Sequence, residues 1–170
     1  MASRKIDHGK KFEKLVHEAF KNLPAKHPIL WERVIDSHGA GNLIRKADCD
    51  FKLIVPGVTP GQPFVFFIEC KASVKYNSFT DGGALRQLIK PDQVAKMRLA
   101  MRAGVTGLFL FHAVMTDTME VWDAHEVCKA WALKRTRFEG VPLKSLHLKE
   151  VPAFARKLVT HPEDTSNCCG

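Results

Sequence analysis

Two apolar runs joined by a turn-rich stretch form the clearest pattern in the chain. Residues 51–55 and 64–68 are rich in β-branched and aromatic side chains, and the prolines and glycines of 56–63 continue neither run, which predicts a β-hairpin. If the turn is centred between Thr59 and Pro60, antiparallel pairing sets Asp50 opposite Glu69, and Lys71 shares their face. Because two like charges facing each other on a sheet are destabilising, a divalent cation is the simplest way to neutralise them.

Two stretches show helical spacing of their apolar residues. The first covers residues 7–23 and places Glu13 at one edge of its apolar stripe, with Glu18 at the other edge as a rival for the same acidic role. The second begins at Pro91, carries Gln93 in its first turn and ends near Gly104. We expect both helices to pack against the sheet that contains the hairpin.

The remaining pattern predicts further strands at 29–35, 105–111 and 118–122 and a helix at 126–134. Residues 73–90 are polar and contain glycine, which is typical of a mobile loop. From residue 138 onward, Gly140, Pro142 and Pro152 favour short, broken elements. We therefore expect an α/β fold with one domain over residues 1–160 and a flexible tail over 161–170.

Composition narrows the choice of partner. Lys and Arg number 26 against 18 Asp and Glu, giving a formal net charge of +8, and such a balance favours polyanions such as nucleic acid. No apolar stretch approaches membrane-spanning length and no apolar leader core is evident, so no membrane partner and a cytoplasmic location are expected. The five cysteines lack metal-site spacing and are expected to be reduced thiols. Phosphate-cradling and dinucleotide-binding glycine motifs are also lacking.

Basic and amide side chains near the expected site are candidates for phosphate contacts. Three lie on the polar side of the first helix, where an ordinary solvated face and a DNA-contacting face are both open interpretations. The others lie in the predicted loop after the hairpin. The full set of candidate DNA-binding residues is Lys10, Lys11, Lys14, Lys75, Asn77, Arg86 and Lys90.

Asp50 followed by Glu69-Cys70-Lys71 matches the D...ExK signature of the PD-(D/E)xK nuclease superfamily, with Cys49 where the family has proline. Paired carboxylates suit Mg²⁺, with Mn²⁺ as a substitute, since both prefer oxygen ligands. Such a metal polarises a phosphoryl oxygen and supplies hydroxide near neutral pH, while a lysine orients the attacking water. Short strings of this kind also occur by chance, so their context matters.

The wider context resembles RecU-type Holliday-junction resolvases over roughly residues 9–127. The matching segments occur in the family's order: Gly9-Lys10-Lys11-Phe12-Glu13, Asp50-Phe51, Phe67-Ile68-Glu69-Cys70-Lys71, Asp92-Gln93, the strand after Gly104, and Met119-Glu120-Val121-Trp122. Two features depart from the family. Asp92 stands where its histidine precedes the glutamine, and no long insertion corresponds to its projecting stalk.

The resemblance implies a restriction-endonuclease-like mixed sheet flanked by helices, and a homodimer that nicks four-way junctions symmetrically. It implies metal binding by Asp50, Glu69 and Glu13, and catalytic roles for these three residues together with Lys71 and Gln93. A restriction-type or repair endonuclease acting on duplex DNA, and a non-catalytic DNA-binding module, are the alternative functions.

Overall fold

A computed structural model of the chain describes residues 7–24, 29–33, 49–57, 59–135 and 138–166. A single six-stranded sheet runs through this part of the protein, with its strands in sequence order. The strands are β1 (Leu30–Arg33), β2 (Phe51–Val55), β3 (Phe64–Ser73), β4 (Thr106–Ala113), β5 (Thr118–Asp123) and β6 (Lys144–His147). Strands β3 and β4 pair in parallel, whereas the other neighbouring strands pair antiparallel.

The helices cover both faces of this sheet. They are α1 (His8–Lys21), α2 (Ala84–Leu88), α3 (Pro91–Arg102), α4 (Ala124–Ala132), α5 (Val151–Thr160) and α6 (Glu163–Ser166), with a 3₁₀ turn at Leu148–Glu150. The mixed α/β class predicted from the sequence is therefore confirmed. No helix in the described residues is both long and apolar enough to cross a membrane.

The β2–β3 hairpin has the register predicted from its turn. Phe51 pairs with Ile68 and Leu53 pairs with Phe66. Asp50 precedes the first paired residue of β2, and its N–H donates to the Ile68 carbonyl, so it lies beside Glu69 at the open end of the hairpin. The alternation of buried and less buried residues along β2 shows why the register is well specified, since a shift by one residue would expose its apolar face.

Two apolar clusters hold the helices against the sheet. On one face, Phe12 and Val16 of α1 pack with Leu158 of α5 and with Ile68 and Cys70 of β3. On the opposite face, the buried residues of α2, α3 and α4 pack with alternate residues of β4 and β5, among them Phe109, Phe111 and Trp122. The odd-numbered residues of β3 therefore point toward α3, away from α1.

Two segments differ from the sequence prediction. Residues 73–90, predicted to be a mobile loop, contain α2, and they bury Tyr76 and Phe79 in the second cluster. These aromatic side chains exclude water from the segment and fix it on the sheet. The C-terminal region, predicted to consist of short broken elements, contains β6 and the ten-residue helix α5. Pro152 lies in the first turn of α5, where the missing N–H group costs no helical hydrogen bond.

Other predicted elements agree in kind and differ at their ends. The first strand is observed as Leu30–Arg33, and the rest of the prediction for 29–35 lies outside the described residues. Helix α4 begins at Ala124, two residues before the predicted start at 126, because the Asp123 side chain caps it by accepting from the His125 N–H. Within the predicted tail, Glu163–Ser166 forms a helical turn, and residues 167–170 lie outside the described part of the chain.

Candidate metal and catalytic site

The open end of the hairpin fixes the position of Asp50. Its backbone N–H donates to the Ile68 carbonyl at 3.1 Å, which ties the residue before β2 to β3. Its carboxylate Oδ2 accepts from the Cys70 N–H at 2.6 Å. Asp50 is therefore tied to β3 on both sides of Glu69, by a backbone contact and by a side-chain contact.

Glu69 lies in the middle of β3, and only 4% of its surface is exposed. Its Oε1 accepts hydrogen bonds from the Lys71 ammonium and from the Gln93 side-chain amide. Lys71 follows two residues later on the same face of the strand, so the strand geometry itself sets this pair together. Glu69 and Lys71 therefore lie together on one face of β3, as predicted, and Gln93 of the second helix contacts Glu69.

Gln93 joins the start of α3 to the site. It is the third residue of the helix, and its Oε1 accepts from the Lys90 N–H at 3.0 Å, which satisfies one of the helix's unpaired donors. The opposite end of the same amide donates to Glu69. One side chain thus caps α3 and positions a buried carboxylate.

The electrostatics of Asp50 reflect the crowding of carboxylates. Burial, followed by the negative charge of Glu69, raises the pKa of Asp50 from 3.8 to about 7. The Cys70 N–H and the Lys71 ammonium act in the opposite direction, and the charge of Glu13 adds a smaller upward contribution. Lys71 alone therefore does not compensate both carboxylates, and Asp50 holds a proton far more readily than a free aspartate.

Glu13 forms an ion pair outside the candidate site. Its carboxylate pairs with the Arg33 guanidinium of β1 at 2.9 Å, and it acts on Asp50 through its charge. The rival candidate Glu18 lines a shallow pocket with Lys11 and Lys14, and it is not among the charges that shift Asp50. Of the two acidic residues on α1, Glu13 is thus the one that influences the site.

The candidate DNA-binding residues fall into two groups, one on each face of the sheet. Lys10, Lys11 and Lys14 lie exposed on α1, where Lys10 also approaches Asp7 at 3.8 Å. The second group lies on the layer of α2 and α3. Within it, Lys90 is exposed and adjoins the site through Gln93.

Other members of the second group have intramolecular partners. Lys75 Nζ lies 3.2 Å from Gln87 Oε1 and 4.8 Å from the centroid of the Tyr76 ring. Arg86 donates to the Trp131 carbonyl at 2.6 Å and stacks over that residue's ring. Asn77 is exposed, and its backbone N–H donates to the Asp81 carboxylate at 2.6 Å. That these residues contact DNA stays a prediction. Arg86 would have to give up its contacts with Trp131 to do so.

A half-buried polar network on the α3 side of the sheet is not predicted from the sequence. Glu120 of β5 accepts from the Ser78 hydroxyl and from the Trp122 indole N–H, each at 2.8 Å. Burial raises the pKa of Glu120. The available signal was a lone acidic residue in an otherwise apolar strand. This network fastens the segment after β3 onto the sheet, next to the strand that carries Glu69 and Lys71.

The carboxylates of Asp50 and Glu69 are the candidate ligands for Mg²⁺. Across the described ranges, no group of three or more His, Cys, Asp and Glu side chains is arranged to hold a metal ion. Mg²⁺, however, commonly uses one or two carboxylates and completes its shell with waters and substrate phosphates. Asp50 and Glu69 are both oxygen donors with a surplus of negative charge, so they fit such a two-carboxylate site.

Comparisons with known proteins add no identification. A scan against models of protein families and a search of curated proteins gave no match to this chain.

Proposed function

We propose that this protein is a Mg²⁺-dependent DNA endonuclease whose active site is formed by Asp50, Glu69 and Lys71. The observation that carries the proposal is the convergence of two carboxylates and an ammonium at one end of the β2–β3 hairpin, with the Asp50 pKa raised to about 7. Perturbed carboxylates of this kind occur in structural ion-pair networks and, with particular frequency, at functional sites.

Each residue has a defined part in the proposed chemistry. Asp50 and Glu69 would hold the metal, and Asp50 would do so in its deprotonated form. When bound, Mg²⁺ supplies positive charge to a phosphoryl oxygen and makes a coordinated water more acidic. Lys71 orients the attacking water and stabilises the negative charge that develops on the phosphate. Gln93 holds Glu69 in position, and Glu13 acts on the site through its charge on Asp50.

The substrate we propose is branched DNA, with the four-way junction as the leading candidate. Support comes from the net charge of +8, from the exposed lysines of α1 and from the resemblance to RecU-type resolvases. The same resemblance supports a restriction-endonuclease-like arrangement of the mixed sheet and a homodimer, since paired symmetric nicks require two equivalent sites.

The test compares wild type with Asp50→Asn on a four-way junction, a fork and a linear duplex, each with Mg²⁺ and with EDTA. We expect metal-dependent nicking of the junction by wild type, and no nicking by Asp50→Asn although it binds the junction with similar affinity. Full activity of Asp50→Asn would overturn the assignment of the site. Equal cutting of all three substrates would leave a nuclease and favour a duplex-cutting restriction or repair enzyme.

One observation favours a second function. Glu69 Oε1 already accepts from Lys71 and Gln93, which is the set of contacts a purely structural buried carboxylate would make. A DNA-binding module that has kept the fold and does no chemistry would need nothing more. Junction binding without metal-dependent product at any Mg²⁺ or Mn²⁺ concentration would establish this alternative.

A further inference from the structure

A groove of about 940 Å³ lies between α3 and α4, at the end of α3 remote from Gln93. One face of each helix lines it, as the spacing of Ala95, Arg98 and Arg102 on α3 shows. The core-facing residues of that helix are a different set, among them Val94 and Met97. The groove therefore lies on an outward-facing surface of α3 away from the candidate metal site, and it borders the second apolar cluster at Met101 and Cys128.

The floor of the groove is apolar and its rim is basic. Met101, Val105, Ala132 and Leu133 supply accessible apolar surface, whereas Cys128 is buried, and Leu133 is 57% exposed. Concave surfaces lined mainly by apolar side chains are the usual form of binding sites.

The rim carries the cations Arg98, Arg102 and Lys129, together with His125. No acidic side chain is among the described lining residues, although Glu126 lies beside His125 at 3.6 Å. The charge of this rim therefore selects for a negatively charged occupant.

We propose that the α3/α4 groove binds an acidic amphipathic helix of a partner protein. Such a helix inserts apolar side chains at helical spacing into the floor while its carboxylates meet the arginines at the rim. This inference is independent of the proposed nuclease function, because the groove shares no residue with Asp50, Glu69 or Lys71.

Two other occupants fit the surface less well. A nucleic-acid backbone would use the cations and leave the apolar floor uncovered, and no Phe, Tyr or Trp is among the described lining residues to stack on bases. A second copy docked groove to groove would set cations against cations in a chain that already carries a net charge of +8.

The test uses a fluorescein-labelled synthetic peptide, roughly 14 residues or about four helical turns long, with leucines at helical spacing and glutamates on its polar side. A second peptide carries lysine at every glutamate position. Fluorescence anisotropy measures the binding of both to the full chain. We expect saturable binding of the acidic peptide and no measurable binding of the basic one.

Matched variants locate the contact. The double variant Arg98→Glu/Arg102→Glu should bind the acidic peptide about tenfold or more weakly than wild type, because two favourable charge pairs become repulsive. Leu133→Glu, which removes apolar surface at an exposed position, should weaken it similarly. Lys149→Glu with Arg156→Glu changes the net charge equally at exposed positions outside the groove and should leave the affinity within about twofold.

Several results would overturn the proposal. One is equal loss of affinity in the groove and control variants, which would show a general charge effect. Another is a groove variant that loses affinity for duplex DNA as strongly as for the peptide, which would assign the groove to nucleic acid. A wild-type chain that self-associates in sedimentation, and becomes monomeric in Leu133→Glu, would assign it to a second copy. Junction cleavage should be unchanged in all groove variants, so failure of either proposal leaves the other testable.

Discussion

Replacing Asp50 with asparagine should stabilise the metal-free protein at alkaline pH. The asparagine side-chain oxygen can still accept from the Cys70 N–H, so the change removes the charge and keeps the shape. The substitution removes a carboxylate that is buried beside Glu69. Burial and the charge of Glu69 raise the pKa of Asp50 from 3.8 to about 7. A cation bound between Asp50 and Glu69 would offset this unfavourable charge, which is consistent with the proposed metal-binding role.

The sign and size of the effect follow from proton linkage. Between these two pKa values the folded chain holds a proton on Asp50 and the unfolded chain does not, so stability falls as the pH rises through this interval. From about pH 5 to about pH 7 the loss is at most about 1.36 kcal/mol per pH unit, or about 2–3 kcal/mol in total. Above pH 7 the loss is nearly complete.

The assay is urea unfolding of wild type and Asp50→Asn in EDTA at about pH 5 and about pH 8. We expect the stability of Asp50→Asn relative to wild type to increase by about 2–3 kcal/mol between the two pH values, because the titrations of groups remote from Asp50 cancel in the comparison. Glu139→Gln, which alters an exposed carboxylate, is the control and should show no such change. A pH-independent difference between Asp50→Asn and wild type would refute the reasoning.

Three further substitutions test the fold and the support of the site. Gln93→Ala removes the cap of α3 and the anchor of Glu69, so we expect a loss of about 1 kcal/mol in urea unfolding and a lower kcat for cleavage with unchanged junction affinity. Gly107→Ala would place a methyl group 2.7 Å from the Ala124 Cβ, and thermal unfolding should show a loss of about 1–3 kcal/mol. Leu158→Ala leaves a cavity between α5 and the sheet, with an expected loss of about 2–5 kcal/mol in urea.

Each of these three predictions has a result that would contradict it. Cleavage by Gln93→Ala at the wild-type rate would show that Glu69 needs no help from α3. Wild-type stability of Gly107→Ala would mean that α4 does not pack closely on β4. For Leu158→Ala, a loss no larger than that of an exposed α5 substitution such as Arg156→Ala would remove α5 from the core.

The hairpin was predictable because its determinants are local. The turn residues and the two-residue period of the strands fix its register, and that register sets Asp50 beside Glu69. Gln93 was recognisable by position alone, as a polar residue in the first turn after Pro91. The rest of its role depends on where α3 meets β3, which no local pattern specifies.

Other features depend on contacts distant in sequence or on competing local signals. The ion pair between Glu13 and Arg33 joins two elements whose relative placement is decided by the packing of α1. Val151, Phe154 and Leu158 have the spacing of a helix, whereas Pro152 by itself predicts the end of one. Its position in the first turn of α5 is one that a helix tolerates. In the segment after β3, polar residues obscured the buried aromatic side chains that anchor it.

The most direct test of the account is Mg²⁺-dependent nicking of a four-way junction by wild type, Lys71→Ala and the control Lys149→Ala. Wild type and Lys149→Ala should both nick the junction with Mg²⁺ and not with EDTA. Lys71→Ala should bind the junction normally and lose activity by about a hundredfold or more, as expected for a group that acts on the water and the developing charge. No metal-dependent product from wild type, or an undiminished rate in Lys71→Ala, would contradict the proposed nuclease site.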